Sequence, residues 1–219
     1  FMFLALAGVF TFYLGQFYQR GQADLVPFFN FHPWLYLFFM PAVAMGLWSQ
    51  ERQLGTIELL LTLPVTIVQA VWGKFLAAWL FAGIALLMTF PIWLTVNYLG
   101  NPDNGVIAAS YLGSWLMAGA FLAVGSCMSV LSRNQIVAFI LTVVVCFLLM
   151  VSGLPLVLEF FRAWAPLSMV DLVAGLSFLT HFEALSSGVI DMRDVAYFLL
   201  LIGIWLAATA ALLQSKKAA

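Results

Sequence analysis

The side chains of this chain that could do chemistry are few, and their spacing decides most of the question. There are two histidines, His32 and His181. His181 with Glu183, Asp191 and Asp194 could hold a cation. Neither histidine has the spacing of a metal cluster, however, and helix caps and loop ion pairs are the plainer use of the group. Ser126-Cys127, or His181 with Glu183, could supply a nucleophile or a base to an intramembrane enzyme. Catalysis needs the nucleophile within reach of an oriented base, whereas the apolar runs place Ser126 in the inner half of a helix and His181 on the outer side. Cys127 and Cys146 both fall inside apolar runs, where small buried hydrophobes are the better reading than a disulfide or a metal pair. Gly73-Lys74 lacks the preceding glycine and the following Ser or Thr of a phosphate-binding loop and abuts an apolar run, so no ATP, metal or other cofactor is expected on the chain itself.

One stretch has a different character. From Glu51 to Pro64 acidic, basic and turn residues crowd between two apolar runs. Gly55 breaks the chain, Thr56 is a good N-cap, and Glu58 falls in the first turn, where negative charge suits the helix dipole. The helix predicted over 56–63 is roughly 12 Å long at 1.5 Å per residue. Ile57, Leu59, Leu60, Leu61 and Leu63 cover most of it, and Glu58 and Thr62 share one edge. A helix of two turns is marginal alone in water, so it must dock. Interfacial anchors usually carry basic residues on the polar face, which leaves a protein groove as the better host. A tight turn that merely links two crossings is the plain alternative.

Membrane helices must position all of this. Of 219 residues 65% are hydrophobic and 8% charged, against about 25% charged in an ordinary soluble domain. The expected fold is an all-α integral membrane protein, a single domain over 1–219 with no room for an extramembrane catalytic domain. A crossing takes roughly 20 apolar residues. Runs at about 1–18, 34–49, 67–98, 106–131, 135–158 and 195–213 read as six helices, and they lack the alternation a barrel requires. Net charge is −1, with no basic tract to suggest nucleic acid. The chain opens apolar at Phe1, as though partway into its first crossing.

Arg52, Lys74, Arg133, Lys216 and Lys217 fall on one side of this arrangement and Arg20, Arg162 and Arg193 on the other. The excess of basic residues makes the 51–66 segment cytoplasmic. Residues 152–194 are too apolar for a solvated loop yet are interrupted by Gly153, Pro155, Glu159, Arg162, Pro166 and Asp171. Short helices dipping in from the outer face are expected there, with a seventh crossing within 165–182 as the alternative. Ser110, Ser114 and Ala118, then Gly119 and Ala123, then Gly125 and Ser129 give small residues at four-residue spacing, which lets helices approach closely within the bundle or at a subunit interface. Pro41, Pro91 and Pro155 sit inside or at the ends of apolar runs, where each removes a backbone donor and kinks the helix, as packing geometry or as a hinge.

The run Glu-x-x-x-Gly-Thr-x-Glu-Leu-Leu-Leu-Thr-x-Pro from Glu51, followed by Gly73-Lys74-Phe75, resembles the permease subunits of ABC-2 type exporters, and in particular the gliding-motility-associated permease family. His181-Phe182-Glu183, then Gly188-Val189-Ile190-Asp191-Met192-Arg193-Asp194-Val195-Ala196-Tyr197-Phe198, is similar to that family's stretch before its last helix. The resemblance implies a type V exporter fold, with two permease copies as a homodimer in the bacterial inner membrane. Each copy would meet a cytoplasmic ABC ATPase subunit, which carries ATP and Mg, through a coupling helix between crossings two and three. Glu51, Arg52, Gly55, Thr56, Ile57, Glu58, Leu59, Leu60, Leu61 and Leu63 would be the coupling residues. An auxiliary periplasmic or membrane subunit is possible, and the family's amphipathic helix before the first crossing is missing. The competing classes are an intramembrane enzyme and a secondary transporter. The latter usually places ionisable residues near the membrane midplane; none is evident, which suggests an apolar or amphipathic passage.

Overall fold

The computed structural model describes residues 1–20, 24–56, 64–162, 165–188 and 191–217, with the backbone alone of Arg20, Lys216 and Lys217. Among them every regular element is helical, as the composition demands. The order is α1 (Met2–Val9), a π-helical turn (Phe10–Leu14), α2 (Phe17–Arg20), α3 (Val26–Asn30), α4 (His32–Ala44), α5 (Gly46–Leu54), α6 (Ile67–Leu87), α7 (Phe90–Leu99) and α8 (Asn104–Leu131). Then come α9 (Gln135–Val151), α10 (Pro155–Arg162), α11 (Leu167–Gly175), α12 (Phe178–Ser186) and α13 (Met192–Lys217). The residues that start these helices are legible in their chemistry. Thr66 and Gln69 form a capping box at α6, Asp103 accepts from Gly105 N and Val106 N at α8, and Asn134 accepts from Ile136 N at α9.

By length and composition three spans can cross a membrane unaided: α6 with α7 as Ile67–Leu99, α8, and α13 over Met192–Ser215. Two bent pairs, α9 with α10 at 74° and α11 with α12 at 63°, make five if each is one span. The six expected crossings are therefore not six unbroken helices. The first run passes from α1 into a π-helical turn, and the second is interrupted at Met45, between α4 and α5.

Helix α8 is the axis of the molecule. It is buried almost all round and packs against α4, α5, α6, α9, α12 and α13. Lipid is as apolar as leucine, so close van der Waals approach and interhelical hydrogen bonds must hold such a bundle. The small residues of α8 supply that approach inside the chain. A Cβ on Gly113 would come within 3.0 Å of Leu185 in α12, one on Gly119 within 2.7 Å of Trp79 in α6, and one on Gly125 within 2.4 Å of Ala44 in α4. Between α6 and α8 the closeness is reciprocal. Trp79 Nε1 donates to the Trp115 carbonyl at 2.9 Å and Trp115 Nε1 to the Trp79 carbonyl at 3.3 Å, with the rings stacked 4.2 Å apart at 10°. Each indole lies against the other helix's glycine, Gly119 or Gly83.

Candidate functional site

Helix α5 carries the charged segment away from the bundle, and its two edges are bound to different helices. On one edge Met45, Trp48, Ser49 and Arg52 recur at helical spacing and face the end of α8. Ser129 Oγ accepts from Trp48 N and Ser49 N, both at 3.0 Å, and donates to the Met45 carbonyl at 2.8 Å. Trp48 Nε1 donates to Ser126 Oγ at 3.0 Å, and Arg52 Nη1 donates to the Val130 carbonyl at 2.5 Å. The last contact puts a cation on the C-terminal carbonyls of α8, where the helix dipole favours one.

The other edge belongs to α6. Lys74 Nζ donates to the Leu47 carbonyl and to Glu51 Oε1, both at 2.8 Å, and lies 4.8 Å from the centroid of the Trp48 ring. The Glu51 carboxylate also accepts from the Thr56 hydroxyl. The hydrogen bond from Lys74 foremost, then that from Thr56, holds the Glu51 carboxyl below the usual glutamate range against a small opposing effect of partial burial. Gly55, with φ of 73°, ends α5 in the left-handed region, where glycine is the unstrained choice.

Helix capping by Thr56 involves N–H groups outside the described residues; the Thr56 hydroxyl proton itself turns back onto Glu51. The expected coupling residues Ile57, Glu58, Leu59, Leu60, Leu61 and Leu63 also lie outside the described residues. What is described is the root of that segment. Glu51 and Arg52, grouped with the partner-facing residues by sequence, are both engaged within the chain.

At the opposite end of α8 a second cluster joins α11, α12 and α13. His181 Nδ1 lies 2.6 Å from Asp194 Oδ1, and its Nε2 lies 3.0 Å from the Gly175 carbonyl. The ring stacks on Tyr197 at 3.9 Å, and the Tyr197 hydroxyl donates to the Leu176 carbonyl at 2.5 Å. Asp191 Oδ1 accepts from Arg193 N, and Gly188, with φ of 87°, sits where a Cβ would come within 2.6 Å of Val106. Glu183 and Arg193 are exposed and Asp194 is buried. Both ring nitrogens of His181 thus face acceptors inside the chain, and among the described residues no three of His, Cys, Asp and Glu converge on a common point. Ser126, engaged by Trp48, and His181, engaged by Asp194, are not brought together.

Residues 4–216 match the family model for ABC-2 family transporter protein. The chain belongs to the ABC-2 transporter family. No curated protein and no solved structure matches it. This ABC-2 protein is a multi-pass membrane permease subunit of an ABC transporter, and its membership implies an ATPase partner in the assembly.

Lys74 of α6 closes the α5 clamp. His32 is fully buried at the start of α4. Its ring is parallel to Tyr36 and edge-on to Phe28 and Phe29; Nδ1 lies 3.1 Å from Ser114 Oγ, which also meets the Tyr36 hydroxyl at 2.7 Å. Nε2 has no hydrogen-bond partner among the described residues. An ionisable residue does lie deep in the bundle, because the aromatic residues of 28–36 fold around it. Sequence reasoning also missed Trp48, Ser126 and Ser129 as parts of the site. The available signal was the recurrence of 45, 48, 49 and 52 along one face just before the charged segment.

Proposed function

We propose that this ABC-2 permease is one half of an exporter in the bacterial cytoplasmic membrane. It pairs with a second copy of itself and is driven through the segment after Gly55, which docks on a separate ATPase subunit holding ATP and Mg. The observation that carries this reading is the double attachment of α5. Its hydrogen bonds to α8 on one edge and to Lys74 of α6 on the other mean that a displacement beyond Gly55 is delivered to the central helix and to the longest apolar span together. A linker that only joined two crossings needs no such attachment. Closure of an ATPase dimer would move the two segments and shift the bundle between access states. The cargo passage is apolar or amphipathic, in keeping with the scarcity of charge.

The test uses the permease purified with its ATPase after gentle solubilisation. Gly55→Val forces a β-branched residue into a left-handed conformation, and Glu58→Lys reverses the charge of the docking segment. Each is expected to lower ATPase recovery or transport-linked ATPase activity by about tenfold with membrane insertion intact. Unchanged partner recovery and activity in both variants would rule out the lever. A Thr56→Cys variant should react with membrane-impermeant thiol reagents from the cytoplasmic side alone; labelling from outside would reverse the orientation.

A further inference from the structure

The break at Met45 is unusual in how it is filled. Met45 keeps helical dihedrals, φ −55° and ψ −36°, so the chain is not redirected there; the ladder of backbone bonds is interrupted instead. The N–H groups of Trp48 and Ser49 go to Ser129 Oγ, and the proton of that hydroxyl goes to the Met45 carbonyl, which also accepts from Ser49 Oγ. A serine hydroxyl has one donor and two lone pairs, and all three are spent on this joint. Ser129 is fully buried, so no water can substitute for it.

The two sides of the joint are held differently. Above it, Ala44 is wedged against Gly125 of α8, which also has Thr142 of α9 within 3.2 Å of the position a Cβ would take. Below it, α5 is held to α8 by bonds that can be exchanged for others, and an open groove of about 430 Å³ lies between α5 and α6, lined by Leu47, Gln50, Lys74, Ala77 and Phe81.

We propose that Ser129 is a positioning residue for coupling, the switch between two arrangements of α5 that each satisfy its backbone donors. In the arrangement described, α5 is clasped to α8. In the other, Trp48 N and Ser49 N return to the Ala44 and Met45 carbonyls as in a continuous helix. The Ser129 hydroxyl then turns to the Gly125 carbonyl four residues back, a bond serine makes readily within a helix. The backbone donors of Trp48 and Ser49 and the Ser129 hydroxyl are satisfied in both; the straight arrangement also releases Trp48 Nε1 from Ser126 Oγ and Arg52 from the Val130 carbonyl, and a displacement of the cytoplasmic segment selects between the two. Straightening carries α5 away from α8 into the groove, while Ala44 and the rest of α4 stay packed. This rests on the reading of α5 as the root of the ATPase-coupling segment.

The experiment measures the distance between spin labels on Leu54→Cys and Leu131→Cys, both exposed positions, in lipid nanodiscs; Cys127 and Cys146 are buried. Ser129→Ala removes the hydroxyl, so the straight arrangement should dominate and the mean distance should shift by about 2 Å, the scale of helix shifts in switching proteins. Ser129→Thr, which keeps the hydroxyl, should restore the original distance. Should Ser129→Ala fail to accumulate, Ser129→Cys fills the same space with a weak acceptor and should shift the distance in the same direction. In the complex with its ATPase, nucleotide should move the labels in the parent protein and no longer in Ser129→Ala, with equal amounts of ATPase recovered. Identical distances in the parent and the alanine or cysteine variant, or a nucleotide response that survives the change, would overturn the proposal. If the parent recovers no ATPase, the coupling reading fails, and the distance shift in the permease alone still decides the switch.

Discussion

The two ends of α8 are built on opposite plans. Between Ser110 and Ser129 the helix runs about 28 Å at 1.5 Å per residue, and both ends hold a neighbouring helix. At the α12 end the grip is mainly steric and aromatic, Leu185 against Gly113, Val106 against Gly188 and Phe121 against Phe178, with one long hydrogen bond from Ser110 Oγ to the Ser186 carbonyl at 3.3 Å. At the α5 end the grip is made of hydroxyl, guanidinium and ammonium groups bonded to backbone carbonyls and amides. Packed contacts resist sliding because overlap rises steeply, whereas hydrogen bonds between groups with alternative partners can be traded with little net loss. The difference fits the proposed role of the α5 end as the one that moves.

Filling a close approach should have the largest effect. Gly125→Leu must displace Ala44 and is expected to cost about 3 kcal/mol or more, read as a loss of monodisperse protein and a lower unfolding temperature in detergent. A variant that melts like the parent would show that this part of α8 is as yielding as the α5 contacts. Next comes the fixed end. Asp194→Ala strips His181 Nδ1 of its acceptor in a half-buried setting and should cost about 1–2 kcal/mol, with faster hydrogen exchange confined to α12 and the start of α13. Exchange that rises in α5 instead would erase the distinction between the ends.

Trp79→Phe keeps an aromatic ring but loses the part of the indole that lies on Gly119 and one of the two reciprocal bonds, for about 1–2 kcal/mol, and unfolding temperature is the readout. The smallest effect belongs to Glu51→Gln. Because Lys74 depresses the Glu51 carboxyl, its contribution is present in full above the ordinary glutamate value and fades as pH falls through the depressed one. With the pair partly exposed, the change should stay below about 1 kcal/mol. The parent should lose this increment on acidification and the glutamine variant should not, when melting temperatures are compared between neutral pH and pH below about 4. Parallel curves would mean that the ion pair adds nothing to the clamp.

Composition alone was enough for the helical membrane class, because 65% hydrophobic residues admit little else. The apolar runs expected from about 67, 106 and 135 begin at or within two residues of the starts of α6, α8 and α9. The break at Met45 was only half readable: Gly46 follows it and Pro41 lies one turn before, but the Ser129 hydroxyl bonded there stands 84 positions along the chain. The pairing of Lys74 with Glu51 was not readable, because the two lie 23 positions apart across a turn. The burial of His32 was not readable either, because it comes only from the tertiary packing of Phe28, Phe29 and Tyr36. Charges and turns were visible one residue at a time; pairings between distant helices were not.

The exchanged indoles of Trp79 and Trp115 set a limit on how any transport cycle can run. A slip of α6 along α8 by a single residue would break both bonds at once and drive each ring off its glycine into a side chain. The two helices therefore ride as one carriage, free to tilt together but not to shear. Conformational change in this permease must then be divided among the helices around that carriage, with α5 hanging from its lower end and the bent α11–α12 pair at its upper one.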